Sequence, residues 1–401
     1  MIRVALVHDW LTGYRGGERV LAALCALYPQ AEIFTLVHVP GSCGAAIESR
    51  PIHTSFLQRL PKAQTHYRSY LPLFPLAIER FDLSKFDLVI STSHAVAKGA
   101  RPGKGALHVS YVHTPMRYAW DQFDAYFGPG RAGLATRAAA RLVMPSLRRW
   151  DRASTARAHG LIANSRFVSD RCERFWGRPA DAVVYPPVET DRFTPASLLA
   201  PRGAESAGEQ QSVSDGYALI VSALVPYKRV DLAVRAFSRL GRRLIVAGGG
   251  PQLSRLRALA GPSVQVRGPV SDAELAALYA GAAFFILPGV EDFGIAAVEA
   301  QAAGRPVLAL GEGGALETVV SPERARSEGV AATGCFFEAP TVDALSAGVE
   351  RIDALLPALD SAAVRRHAQR FSAARFGPEL SAAIAAIAHR QGRPDLADPV
   401  R

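Results

Sequence analysis

Phe284-Phe285-Ile286-Leu287-Pro288-Gly289-Val290-Glu291-Asp292-Phe293-Gly294-Ile295-Ala296-Ala297-Val298-Glu299-Ala300-Gln301-Ala302-Ala303-Gly304-Arg305-Pro306-Val307 is the stretch around which the chain is organised. Its apolar start, stopped at Pro288-Gly289, reads as a buried strand. The alanine-rich part from about Gly294 reads as a helix closed by Gly304 and Pro306. Two carboxylates bracket this strand-to-helix turn, Glu291 in the loop or at the helix start and Glu299 two helical turns further on. At a rise of 1.5 Å per residue they are separated by ~12 Å along the axis, which suits an extended ligand. Gly294 lets a backbone approach closely, and the free N–H groups of the first turn offer a phosphate site. A single helical Glu is most often solvated. The alanines around Glu299 predict a largely buried helix instead, and a buried carboxylate needs a partner.

With 401 residues the chain accommodates two domains, each with its own core. Hydrophobic residues at 49% and charged residues at 20% exclude a disordered chain. The formal charge of +10 admits nucleic acid, an anionic membrane face or phosphorylated ligands as partners. No apolar run approaches the ~18 residues that span a bilayer, and the start Met1 to Asp9 reads as a first strand, not a signal peptide. Cys25, Cys43, Cys172 and Cys335 form no C-x-x-C pair, which points to a reducing compartment and away from a zinc site. A soluble or peripheral protein is expected.

Ile2 to Val7 reads as the first strand of an open α/β sheet and delivers the chain to His8-Asp9-Trp10, then Gly16-Gly17 and an apolar helix from Val20 to Leu27. Strand, glycine loop and helix together form an anion-binding arrangement, although Gly16-Gly17 alone is equally a plain turn. Strands at Phe86 to Ile90 and Leu107 to Val112 end in His94 and His113, two imidazoles expected at one crevice. A strand-end histidine is more often structural; of His8, His94 and His113, the last is the preferred candidate. Residues 54–75 interleave cations with aromatic and apolar residues, and residues 134–159 carry Arg137, Arg141, Arg148, Arg149, Arg152 and Arg157 on a helical pattern. Both read either as membrane-facing surface or as an ordinary solvated face, and the second could equally face a pyrophosphate-linked acceptor. The polar run 196–215 reads as a flexible connection. Beyond it come a strand at Ala218 to Ala223, the cations Lys228 and Arg229 placed to hold a diphosphate, and a triple-glycine turn at Gly248 to Gly250. No Asp-x-Asp metal element is apparent.

Glu291 and Glu299, with Phe293-Gly294 between them, resemble the E-x7-E element of retaining nucleotide-sugar glycosyltransferases of the GT-B fold, family four. The tract His113-Thr114-Pro115-Met116-Arg117-Tyr118-Ala119-Trp120-Asp121 resembles the subgroup that transfers mannose or related sugars in O-antigen and exopolysaccharide assembly. The resemblance implies two Rossmann-like α/β domains facing a cleft: an acceptor domain over residues 1–195, a donor domain over 216–369, and C-terminal helices at about 370–392 returning to the first. It implies transfer of a hexose, mannose from GDP-mannose, to a hydroxyl of a lipid-linked saccharide, with retention. His113 and Glu291 are then catalytic. Lys228, Arg229, Gly249, Phe293, Gly294, Ile295 and Glu299 hold the donor, with Glu299 on the ribose, and Gly16, Gly17 and Arg117 lie on the acceptor side. Ala223 departs from the family pattern, which commonly has Arg there, and Arg229 is expected to compensate. No cofactor or metal is expected, because Lys228, Arg229 and the helix N-terminus near Gly294 carry the leaving diphosphate's charge. The expected location is cytoplasmic, peripheral on the anionic inner face of the plasma membrane. A transferase using a UDP- or ADP-sugar, or a sugar-nucleotide epimerase, is the alternative. A nucleic-acid-binding protein fits least, since it leaves the glycine turns and carboxylates without a role.

Overall fold

A computed structural model describes residues 2–130, 133–193 and 216–397. The chain forms two units, Met1–Pro187 with Ala374–Arg401, and Val188–Ala373. The connection expected at 196–215 lies outside the described residues.

The first unit is built on seven strands, all parallel: β1 (Val4–His8), β2 (Glu32–Thr35), β3 (Ile52–Thr54), β4 (Leu88–Ser93), β5 (Leu107–Val112), β6 (Gly160–Ala163) and β7 (Ala182–Val183), in the order β3-β2-β1-β4-β5-β6-β7. Parallel strands need cover on both faces, and the alternation along β1 supplies it. Val4 and Leu6 join a core with Val20, Leu24 and the C-terminal Phe376, Leu380 and Ile384. Ala5 and Val7 join a second core with Leu57, Phe74 and Met144 on the other face. The last long helix, Ala373–Arg390, thus belongs to the first core, and it packs so closely that a Cβ on Gly160 would lie 2.4 Å from Ile387 Cδ1.

The second unit has six parallel strands: β8 (Tyr217–Val221), β9 (Leu244–Ala247), β10 (Val264–Gly268), β11 (Ala282–Leu287), β12 (Val307–Leu310) and β13 (Gly334–Phe337), ordered β10-β9-β8-β11-β12-β13. Residues 188–195, expected in the first domain, begin with a segment that belongs here. Val188 N–H donates to Phe371 O at 3.1 Å and Val188 O accepts from Ala373 N–H at 2.8 Å, so Val188 pairs with the end of the second unit. Both sheets reverse their strand order beside the first strand of the unit, between β1 and β4 and between β8 and β11. In open α/β sheets ligands bind outside the carboxyl ends of the strands at such a switch point.

Candidate functional site

At the first switch point β1 ends in His8-Asp9 and β4 is followed by His94. Asp9 is fully buried and its carboxylate accepts four backbone N–H groups, from His94 (2.7 Å), Ala95 (2.9 Å), Val96 (2.6 Å) and Ala97 (2.7 Å). His94 Nδ1 lies 3.1 Å from the same carboxylate, and the edge of Trp10 meets the ring at 4.4 Å between centroids. Burial pushes the Asp9 carboxyl up, but His94, His8 and the amides outweigh it and hold the group below the usual carboxylate range. His8 shares a 2.6 Å hydrogen bond with Thr92 Oγ1, and its Nε2 faces Glu18 at 3.8 Å. His113 completes the group, with its ring 6.3 Å from that of His94. Its Nε2 is buried and has no hydrogen-bond partner among the described residues.

Gly16 and Gly17, expected in a loop, form the first turn of helix Gly16–Leu27. A Cβ on Gly17 would lie 3.5 Å from His8 Cε1 and 3.6 Å from His113 Nε2, so this glycine leaves the imidazoles open on that side. Arg117 lies on the turn after His113; burial lowers the His94 pKa most, and the charges of His8 and Arg117 add to it against Asp9 and Glu18.

Burial, then the neighbouring His94 and His8, push the His113 imidazole down to about 3, and burial with His159 and Arg157 does the same for His108 in β5. Both rings are therefore neutral at physiological pH. The sign of the linkage follows: the unfolded chain, with histidine near 6.5, takes up protons first as the pH falls. Stability present above pH ~6.5 is lost toward pH 3, at about 1.4 kcal/mol per pH unit for each ring. We expect urea unfolding free energies to decline steeply between pH 6.5 and 4, and ring nitrogen shifts in 15N NMR to keep His108 and His113 neutral at pH 5. A flat profile, or protonated rings at pH 5, would contradict this.

Sequence reasoning missed the residue that braces both histidine loops. Asp151 is fully buried and accepts from Lys98 Nζ, from Trp120 Nε1 (2.7 Å) and from Trp176 Nε1 (2.7 Å). Lys98 follows His94 closely and Trp120 follows His113, so one carboxylate holds the segments after both strands. Trp150 and Trp176 face the ammonium at 5.1 and 5.0 Å. The available signal was that Asp151 is the one acidic residue in the basic helix Leu134–Thr155. Arg137 pairs with Asp124, Arg148 and Arg152 lie over Trp120, and Arg157 pairs with Glu79, so four of the six arginines are engaged within the unit.

At the second switch point the loop after β8 carries Lys228 and the loop after β11 carries Glu291, and the two side chains form an ion pair, 17% and 13% exposed. Gly294 has φ 91, in the left-handed region that glycine adopts without strain, and ends the turn into helix Ile295–Ala302. Ile295 is half-buried as its first residue. Glu299 is 3% exposed and accepts a 3.0 Å hydrogen bond from Tyr279 OH. The carboxylate thus lies inside, as the surrounding alanines predict: its helix packs against helix Ser361–Ala368, and Tyr279 of helix Asp272–Gly281 also donates to Ala296 O at 3.2 Å. Phe293 likewise turns its ring inward onto Phe371, 5.5 Å between centroids. Arg229 is directed away from the pair: its guanidinium lies 3.6 Å from Asp231 and donates to Pro340 O at 3.4 Å. Gly249 sits under Pro269, its Cβ position 3.1 Å from that ring. Among the described residues no group of three or more His, Cys, Asp or Glu is arranged to hold a metal ion.

Comparison with known proteins gives the family and the fold. The description "Glycosyltransferase Family 4" matches residues 14–192, and "Glycosyl transferases group 1" matches residues 204–355. The chain belongs to the family-four glycosyltransferases. The family fold is GT-B, and solved structures agree: sucrose-phosphate synthase from Thermosynechococcus elongatus (18% identity, TM-score 0.66, covering 98% of this chain and 99% of that one) and HepE from Anabaena in complex with UDP and glucose (16%, TM-score 0.64, covering 96% and 100%). At these identities the likeness establishes the fold. Among curated relatives, a GDP-mannose-dependent alpha-(1-6)-phosphatidylinositol monomannoside mannosyltransferase of Mycobacterium tuberculosis is 37% identical over 176 residues, 39% of this chain and 44% of the relative. A D-inositol 3-phosphate glycosyltransferase of Salinispora tropica is 33% identical over 241 residues, 54% of this chain and 48% of the relative. The family-four chain spans about half the length of the curated relatives it matches.

Proposed function

We propose that this family-four member is a retaining hexosyltransferase that takes mannose from GDP-mannose and transfers it to a hydroxyl of a lipid-linked saccharide in surface polysaccharide synthesis. The observation that carries the reading is the Lys228–Glu291 pair at the switch point of the second sheet, beside the helix that bears Glu299. Lys228 supplies a cation for the diphosphate, and the first-turn N–H groups of helix Ile295–Ala302 add partial positive charge, so the leaving group is stabilised without a metal. Glu291 accepts hydrogen bonds from the sugar and Glu299 from the ribose. In the first unit His113 positions substrate as a neutral imidazole. The mannose donor is supported by the mycobacterial relatives, which are GDP-mannose-dependent mannosyltransferases.

The proposed acceptor places the protein on the anionic inner membrane face. Support comes from helix Leu134–Thr155, where Leu134 and Leu142 are 86% and 81% exposed, and Arg141 and Arg149 have no ion-pair partner among the described residues. At 100° per residue these four side chains share one face, an apolar and basic stripe suited to headgroups. Among the described residues no helix is long and apolar enough to cross a membrane.

The test is incubation of the protein with membrane lipid extract and radiolabelled GDP-mannose, UDP-glucose or ADP-glucose, followed by NMR of the product. Label passing from GDP-mannose into an α-linked lipid product supports the reading. Transfer from another donor only, an inverted linkage, or an isomerised sugar nucleotide without transfer would refute it. In the same assay Gly17→Ala is expected to be at least as stable as wild type, since alanine favours a helix by up to ~1 kcal/mol and its methyl finds van der Waals contact. It should nevertheless lose transfer tenfold or more by covering His113 Nε2. A fully active variant would show that this nitrogen faces no substrate.

A further inference from the structure

We propose that the Lys228–Glu291 pair makes the second unit discriminate between a nucleotide that carries a sugar and the bare nucleoside diphosphate that transfer leaves behind; this rests on the donor reading above. Both side chains are mostly covered, so neither charge is well hydrated and each depends on its partner. The contact is built into the backbone on both sides. A Cβ on Gly289, two residues before Glu291, would lie 2.7 Å from Tyr227 O and 2.8 Å from Lys228 O, so the two loops meet with no room for a side chain. Behind Glu291, a Cβ on Gly313 would lie 2.6 Å from Glu291 O, and Gly314 N–H donates to that oxygen at 2.8 Å. Arg229, next to Lys228, holds φ 52, a left-handed conformation that non-glycine residues keep only where the surroundings impose it. Two loops from adjacent strands are thus pressed together with the ammonium on the carboxylate.

A diphosphate that enters takes Lys228 as its counter-ion. Glu291 is then left beside phosphate charge with little access to water. A nucleotide sugar compensates this by offering hydroxyl donors to Glu291, and its terminal phosphate is a diester with one ionisable oxygen fewer. A nucleoside diphosphate offers no hydroxyl there and brings the additional charge. Glu291 therefore acts as a specificity residue that favours substrate over product, and Lys228 is the group for which the two anions compete.

Isothermal titration of the full chain tests this with whichever pair the wild type binds among GDP and GDP-mannose, UDP and UDP-glucose, and ADP and ADP-glucose. The wild type should bind the sugar nucleotide at least tenfold more tightly than the diphosphate. In Glu291→Gln the diphosphate should bind about tenfold more tightly than to wild type, and the preference should collapse toward one. Glu312→Gln removes a carboxylate from a neighbouring turn and should leave the preference intact. If Glu291→Gln binds the diphosphate no better than wild type does, or if Glu312→Gln shifts the preference equally, the discrimination is not due to this pair. A wild type that binds none of the six would overturn the donor reading and this proposal together.

Discussion

Asp151→Ala should lower the stability of the first unit by about 3–5 kcal/mol, because it strands a buried ammonium. Lys98 is 1% exposed and its nitrogen has Asp151 and Ser154 Oγ (3.2 Å) as hydrogen-bond partners. Losing the carboxylate also leaves the indole N–H groups of Trp120 and Trp176 without their acceptor, each a further desolvation cost of ~1 kcal/mol or more. The site offers no easy relaxation: Gly99 next to Lys98 packs on Trp150 so closely that a Cβ would meet the ring at 2.4 Å. For a unit of this size the melting temperature should fall on the order of 10 °C. Thermal unfolding followed by tryptophan fluorescence reads this directly, since three of the four tryptophans surround the pair. Lys98→Met combined with Asp151→Leu removes the stranded charge and should recover part of the loss, with the indoles still unsatisfied. A single variant that melts within a degree of wild type would show that the pair is incidental.

Lys228→Ala should weaken binding of the sugar nucleotide about a hundredfold. A hydrogen bond to a charged group contributes about 1.5–3 kcal/mol, and here the loss is compounded, because Glu291 then faces the diphosphate with no cation between them. Arg229 cannot substitute, since its left-handed backbone and its contacts with Asp231 and Pro340 direct it elsewhere. A total of about 3 kcal/mol corresponds to two orders of magnitude in Kd. Equilibrium dialysis with radiolabelled GDP-mannose checks it, and a loss below threefold would remove Lys228 from the donor site.

The strand, glycine turn and helix of residues 284–304 were legible because each depends on local chemistry: an apolar run, Pro288-Gly289, Gly294 with positive φ, and alanines closed by Gly304. The end of β5 at Val112 was legible for the same reason, whereas β4 continues past Ile90 through the polar residues Ser91 to Ser93; His94 and His113 could still be placed beside one another. Partners from distant segments were not. Glu299 announces that it is buried, but its acceptor role toward Tyr279 comes from the preceding helix. Asp9 stands among ordinary loop residues, and the four amides it holds lie more than eighty residues away. The pairing of Lys228 with Glu291 depends on β8 and β11 being neighbours, which is a matter of sheet order and not of local pattern. Phe293 and Arg229 show the converse, as residue types that suit a ligand but are turned elsewhere by packing and backbone conformation.

The measurement that bears most directly on the central claim is isothermal titration of the wild-type protein and Lys228→Ala with GDP-mannose, UDP-glucose and ADP-glucose. The wild type is expected to bind GDP-mannose selectively, and the variant to lose that binding. Equal binding by both proteins, or no binding of any of the three, would contradict a donor site at the second switch point.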